Sequence, residues 1–315
     1  MPKVSVIIPV FKAEQYIEKC ARSLFSQTLD DIEYIFVDDC TPDNSIEILK
    51  KIILDYPNRE PQVKIHRMEK NSGQAAVRKW GINHATGDYV IHCDSDDWVD
   101  INAYHEMYTL AVRENADIVI CDFIVTDNVN VRLKKGCHSI DKNTFFNNLM
   151  LNFDNGSLGN KLVRKSVCER NVIFPKGDMG EDLFLCLQYT LNSNKIRYIS
   201  KGFYFYYRNL SSITKSKEEE SIYHKFKQSI LNAEDLIALF ENRNLNKEYH
   251  YHIDRMLFAK KNLLRPLAMK KRYWHIWKNT FPQLNYVILS NPYISLKNKI
   301  KHVLVLVYGN LFFRF

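Results

Sequence analysis

Five short runs of apolar and β-branched residues recur in the first 125 positions: VSVIIPVF (4–11), IEYIFVDD (32–39), VKIHRM (63–68), DYVIHCD (88–94) and ADIVICDF (116–123). They are mostly apolar throughout rather than alternating, as expected of strands buried on both faces. Between them the apolar positions take helical spacing. Tyr16, Ile17, Cys20, Ala21, Leu24 and Phe25 form one stripe. Ile46, Leu49, Ile52, Ile53 and Tyr56 form another, read as capped by Thr41 with Pro42 at the first helical position. Strands alternating with helices predict a parallel, doubly wound sheet, whose ligands bind outside the carboxyl ends of the strands.

From residue 126 the pattern changes. NTFFNNLMLNF and NGSLGNKLVRKSVCERN read as helix, loop and helix, and GDMGEDLFLCLQYTL as a loop running into a helix. KIRYIS and GFYFYYRN read as two strands, and from about residue 218 the chain reads as helical. There is no internal repeat and no low-complexity tract.

With 315 residues, 46% of them hydrophobic, the chain has the material for one large domain or two ordinary ones. Its seven cysteines include no Cys-x-x-Cys pair, and the N-terminus does not resemble a signal peptide, so a reducing cytosol is expected. The apolar run VLVLVY (303–308) falls far short of the about 20 residues that a membrane span needs. The formal charge of +8 is unevenly distributed. Residues 255–315 carry twelve Lys or Arg and no acid, leaving 32 basic against 36 acidic residues in positions 1–254.

The strand ends select the candidate chemistry. They carry Pro9 to Phe11, Asp38 and Asp39, the loop EKNSGQAAVR (69–78), and the run YVIHCDSDDW (89–98), which packs Asp94, Asp96 and Asp97 into four positions. Like charges so close repel unless they are solvated, protonated or bound to a cation. No glycine fingerprint follows the first strand, which disfavours NAD or FAD. A nucleotide held by side chains and a metal fits better. No His-Glu-x-x-His or cysteine cluster competes for a metal, and His92, inside the fourth run, reads as a core residue.

VSVIIPVFKAEQYIEKCARSLFSQT, IEYIFVDDCTPDNS, NSGQAAVRKWGINHATGDYVIHCDSDDWVD and GEDLF occur in this order. Together they resemble the family 2 inverting glycosyltransferases of bacterial surface-polysaccharide synthesis, over roughly residues 3–215. The resemblance implies the GT-A fold, a mostly parallel Rossmann-like sheet flanked by helices. Residues 1–217 would then be the catalytic domain, with 1–125 binding the nucleotide-sugar and 126–217 facing the acceptor, and 218–315 a helical, basic C-terminal region.

It further implies a UDP-sugar donor and Mn²⁺ or Mg²⁺ bridging Asp96 to the diphosphate, hard oxygen ligands suiting these ions. Asp39 would accept from the uracil N3 hydrogen, and the main chain around Pro9 and Phe11 would frame base and ribose. Asp94 would hold the ribose or a metal-bound water, with Ser95 beside it in the same donor-binding group. Arg78 is either near the diphosphate or a solvated surface residue; Asn71 and Gly73 shape its loop. Asp182, preceded by Glu181, is the implied general base, in a position that also suits a helix cap. Tyr207, Arg208 and Ser212 form a closing flap or part of an edge strand, and Lys161 lies in an acceptor-side segment or at the surface.

A sugar nucleotidyltransferase and a non-catalytic sugar-nucleotide-binding protein are the alternatives. The first needs a Gly-rich, Arg-bearing loop after the first strand, where VFKAEQY stands; intact Asp96 and Asp182 disfavour the second. The basic C-terminal stretch interleaves Tyr273, Trp274, Trp277, Tyr293, Tyr308, Phe312 and Phe313 with its cations. It reads either as a surface for the anionic cytoplasmic face of the plasma membrane, where lipid-linked glycan acceptors are presented, or as a packed helical domain. No nucleic-acid module is recognisable in it. The chain is therefore expected to be cytoplasmic and peripheral on that membrane.

Overall fold

The computed structural model describes residues 1–208 and 218–313. Ser212 lies outside them, as do Arg314 and the rest of the segment 209–217. The described chain forms two compact units.

The first unit holds 1–149, 154–174 and 182–208. Its strands are β1 (Val4–Val10), β2 (Ile32–Asp38), β3 (Val63–Arg67), β4 (Tyr89–His92), β5 (Trp98–Val99), β6 (Ile118–Thr126), β7 (Val131–Lys134), β8 (Lys161–Arg164) and β9 (Ile196–Tyr207). They form one sheet in the order β3-β2-β1-β4-β8-β6-β9-β5, with β7 beside β6. β1 to β4 run parallel; β8 is inserted antiparallel between β4 and β6, so the sheet is mixed rather than wholly parallel.

The apolar runs explain the layering. Val4, Val6, Ile8 and Val10 of β1 pack with the buried stripes of α1 (Ile17–Phe25) and α2 (Ser45–Leu54) and with Tyr104 and Met107 of α4 (Ala103–Glu114). On the other face, Ile7 meets Gly81 of α3 (Gln74–His84), where an added Cβ would lie 2.5 Å from the Ile7 side chain. Both faces are thus covered, which is why β1, β2 and β4 are apolar almost throughout.

Three local readings are corrected. The second helix starts at Ser45, not at Pro42. Thr41 accepts from the Lys12 N–H (2.8 Å) and donates to Asp43 (2.7 Å), so it joins a turn instead of opening a helix. Residues 161–164 are a strand, because KLVR pairs with β4 on one side and β6 on the other. The runs KIRYIS and GFYFYYRN are one strand, β9, whose register against β6 shifts on either side of Asp122. Helices α5 (Lys142–Leu151), α6 (Lys165–Glu169) and α7 (Glu181–Asn192) match the expected helical runs.

The second unit holds 150–153, 175–181 and 218–313. It comprises α8 (Glu219–Asn242), α9 (Asn246–Lys261), α10 (Lys271–Asn279), α11 (Leu284–Val287) and α12 (Leu296–Phe312). Its core gathers Phe226, Leu264, Leu267, Ala268, Tyr273, Trp274, Trp277 and Val305. Tyr273, Trp274 and Trp277 are therefore interior, not surface aromatics, and Lys260 and Lys261 are buried as well. Lys261 lies over the Trp277 ring and donates to Thr280 O and Asn285 Oδ1 (2.8 Å each); burial lowers its ammonium to about 7. Among the described residues no helix is long and apolar enough to cross a membrane.

Candidate active site

Two strand ends meet the first turn of α3. Asp39 follows β2; its N–H donates to Val10 O (3.0 Å), and its carboxylate accepts from the N–H groups of Ser72 (2.7 Å) and Gly73 (2.9 Å). Gly73 stands at φ 85°, a conformation that side chains other than glycine resist. Asn71 donates to Asp39 O (3.3 Å). Asp39 thus shapes the loop that Asn71 and Gly73 belong to, and a base N–H would have to share its remaining lone pairs. Asp38 is a brace: it accepts from the Thr41 N–H (2.7 Å) and from Arg67 (2.6 Å) and is 2% exposed. Pro9 lies within β1 opposite Val37, and Phe11 just beyond it is exposed.

The next residue after Gly73 reaches the other strand. Gln74 Nε2 donates to Asp94 Oδ1 (3.1 Å), and one turn further along α3 Arg78 Nη2 donates to the same oxygen (2.9 Å). The same Arg78 nitrogen lies 3.2 Å from Asp182 Oδ1, in the first turn of α7. This second contact is an ion pair without the alignment of a hydrogen bond. Arg78 is 1% exposed, so it is not a solvated surface residue. Asp94 and Asp182 keep 30% and 25% of their side-chain surface. Burial raises the Asp182 carboxyl and Arg78 opposes the shift, helped by the Leu158 N–H, while the Asp94 charge adds to it.

The three carboxylates of the acidic run have separate surroundings. Asp94 faces Gln74 and Arg78. Asp96, partly exposed beside Ser95, is pushed up to about 6 by burial and by the Asp94 charge. Asp97 is 1% exposed; it accepts from the Tyr204 hydroxyl and from the Tyr207 N–H (2.8 Å), and ties the acidic loop to β9.

Residues 5–171, more than half of the chain, match the family described as glycosyl transferase family 2. The chain belongs to glycosyl transferase family 2. The glycosyltransferase is 31% identical over 265 residues to the cholesterol galactosyltransferase of Borreliella burgdorferi, an alignment covering 78% of this chain and 72% of that one. Its fold is similar to that of S. aureus TarS, solved with UDP-GlcNAc (TM-score 0.62, 18% identity, 98% of this chain and 92% of that one). It is also similar to the mannosyltransferase PcManGT of Pyrobaculum calidifontis, solved with GDP-Man and Mn²⁺ (TM-score 0.55, 14% identity, 99% and 87%). These likenesses in fold place the glycosyltransferase among GT-A structures, and the family sets the nucleotidyltransferase alternative aside.

In the glycosyltransferase Lys161 is not a surface residue. It is 1% exposed and donates to Asn155 O (2.7 Å), Ser157 O (2.6 Å) and Asn160 Oδ1 (2.9 Å), and its charge helps keep Asp182 ionised. His92 is buried in the core, its imidazole held well below its usual range by burial and by the Arg78 charge. Arg208 is exposed at the end of β9, with its N–H on Thr126 O (2.7 Å). Gln74, Tyr204 and Tyr206 were not singled out in the sequence. Gln74 stands four positions before Arg78, on the same helical face. The Tyr206 phenol is raised by burial and by Asp97, Asp96 and Asp94, and the positive charge of Arg208 counters this.

The Arg78 bridge makes a prediction about stability. Arg78→Met leaves Asp94 and Asp182 crowded without their shared cation. The cost should fall toward the lower end of the about 3–5 kcal/mol of a broken buried pair, since both acids keep some water. Urea unfolding measures it; a variant as stable as the parent would deny the bridge its structural role.

Proposed function

We propose that the enzyme is a metal-dependent, inverting transferase that moves a hexose or N-acetylhexosamine from a UDP-sugar to a hydroxyl of a growing, lipid-linked surface glycan. One observation carries this reading: a single buried guanidinium, Arg78, meets both Asp94 of the acidic run and Asp182 at the start of α7. Residues 88 positions apart thus share one cation, which supports a site where donor and acceptor chemistry adjoin.

The donor set fits a divalent ion. Asp96 carries a carboxyl displaced upward by burial and by a neighbouring negative charge, a displacement that a cation would reverse. Among the described residues no three His, Cys, Asp or Glu side chains form a closed metal site. Mg²⁺ or Mn²⁺ bound with a nucleotide is commonly held by one or two carboxylates, with phosphate oxygens and waters as the remaining ligands. Asp96, with Asp94 beside it, would hold the ion, which when bound neutralises charge on the departing diphosphate. The PcManGT structure with Mn²⁺ and the TarS structure with UDP-GlcNAc support the metal and the donor class.

Asp182 takes the proton from the acceptor hydroxyl. Its partial exposure leaves it accessible, and its upward-shifted carboxyl is a better proton acceptor than an ordinary aspartate. Asp39, Asn71 and Gly73, with Pro9 and Phe11, frame the nucleotide, and Ser95 and Arg208 flank the acidic run. The likeness to a galactosyltransferase of cholesterol supports an acceptor carried on a lipid.

A melting-temperature screen of UDP- and GDP-sugars with Mn²⁺ tests the donor: UDP-hexoses or UDP-N-acetylhexosamines should raise the midpoint most. An α-linked UDP-hexose should yield a β-glycoside, read from the anomeric coupling in proton NMR. Retained configuration would contradict the single in-line displacement.

A further inference from the structure

Helix α12 is apolar on two opposite faces, and only one of them is packed. His302, Val305 and Gly309 point inward and are buried. The Trp274 indole N–H donates to Val305 O (3.2 Å), and a Cβ at Gly309 would lie 1.7 Å from the same nitrogen. The helix is therefore locked in rotation. On the far side Leu296, Ile300, Val303, Leu304, Val307 and Leu311 are all solvent-exposed, from 37% at Val303 to 72% at Leu296. At about 100° per residue these six fall within an arc of about 100°, along a helix about 25 Å long.

Charge distinguishes what can cover this stripe. Lys297 and Lys301 border it on one side and Lys299 on the other. No acid occurs anywhere after Asp254. Among the described residues none of these three lysines meets a carboxylate, whereas Lys270 pairs with Glu219 and Lys260 and Lys261 are interior. A second copy docking the same face across a two-fold axis would set lysine against lysine. We infer that the outer face of α12 is a contact surface for an anionic lipid bilayer, the helix lying in the interface with its aliphatic stripe inserted and its lysines at the headgroups. Such a helix combines buried apolar area with about 1 kcal/mol of attraction per basic residue near the surface. The surface is built by aliphatic residues of α12, not by Trp274 and Trp277, and the inference rests on neither the donor nor the metal reading.

Co-sedimentation of the full chain with vesicles tests it. The parent should pellet with phosphatidylglycerol vesicles in low salt, remain in the supernatant with phosphatidylcholine, and be largely released from phosphatidylglycerol in high salt. Leu304→Glu with Val307→Glu should lower binding about tenfold or more. Both positions are exposed, so the melting temperature should hold. Lys297→Glu with Lys301→Glu should weaken binding to phosphatidylglycerol without touching the stripe, a second arm should the first variant fold poorly. Binding unchanged by these substitutions, or equal on both lipids, overturns the proposal. So does an absence of vesicle binding, including one in which the chain forms a concentration-dependent dimer that Leu304→Glu with Val307→Glu dissolves.

Discussion

Asp182→Asn should lower sugar transfer by about 10²–10⁴-fold while leaving UDP-sugar affinity almost unchanged, since a general base acts on the transition state and not on donor binding. The substitution keeps size and shape. It removes the charge paired with Arg78, but Asp94 still holds that guanidinium at 2.9 Å, so the fold should survive. The pH profile gives a second readout. Burial sets the Asp182 carboxyl above its ordinary range, so activity should fall with acidity along a limb displaced above the usual aspartate value of about 3.9, and that limb should vanish in the variant. Transfer assays with calorimetry of donor binding check both halves. Turnover equal to the parent's would place the base elsewhere; loss of donor affinity would make Asp182 a binding residue instead. The same assay addresses the non-catalytic alternative, which predicts no transfer in the parent.

Asp96→Ala should weaken both donor binding and turnover, the latter on the order of 10³-fold, the worth of several kcal/mol of lost charge stabilisation. Chelation by EDTA should reproduce the binding defect in the parent and add little to it in the variant. The reason is repulsion: Asp94, Asp96 and Asp97 already crowd one loop, and a diphosphate brings further negative charge. Asp97 is the informative neighbour because its oxygens are occupied by Tyr204 and Tyr207, which makes it a brace for β9 and not a ligand. Calorimetric titration of UDP with Mn²⁺ and with EDTA decides; equal affinity in the two would remove the ion from the mechanism.

The legible parts of this chain are those where one residue's type suffices. The runs at 4–11, 32–39 and 88–94 announce buried strands because both of their faces are covered, and a strand so placed has little room for polar side chains. The acidic run and GEDLF stand out because carboxylates at strand ends and helix starts are exposed to chemistry. β8 was hidden for the opposite reason. Four residues carry too little periodicity to mark a strand, and KLVR is one only because β4 and β6 offer it two edges. Thr41 resembled a cap until Asp43 and Lys12 claimed its hydroxyl.

By itself the sequence determined the strand–helix alternation, the order of the family motifs and the excess of cations after residue 254, since each is a property of local composition and spacing. Tertiary structure alone decided which of those groups are brought into contact and which are merely buried. Arg78 could be read from the sequence either as a diphosphate neighbour or as a solvated surface residue until α3 carried it inside to meet Asp94 and Asp182. Lys161 and Lys261 became interior braces, and Trp274 and Trp277 became core, because burial depends on neighbours distant in sequence. The outer stripe of α12 appears for the same reason. Its residues alternate with equally apolar ones along the chain, and only the packing of Trp274 against Val305 and Gly309 fixes which face is left in water.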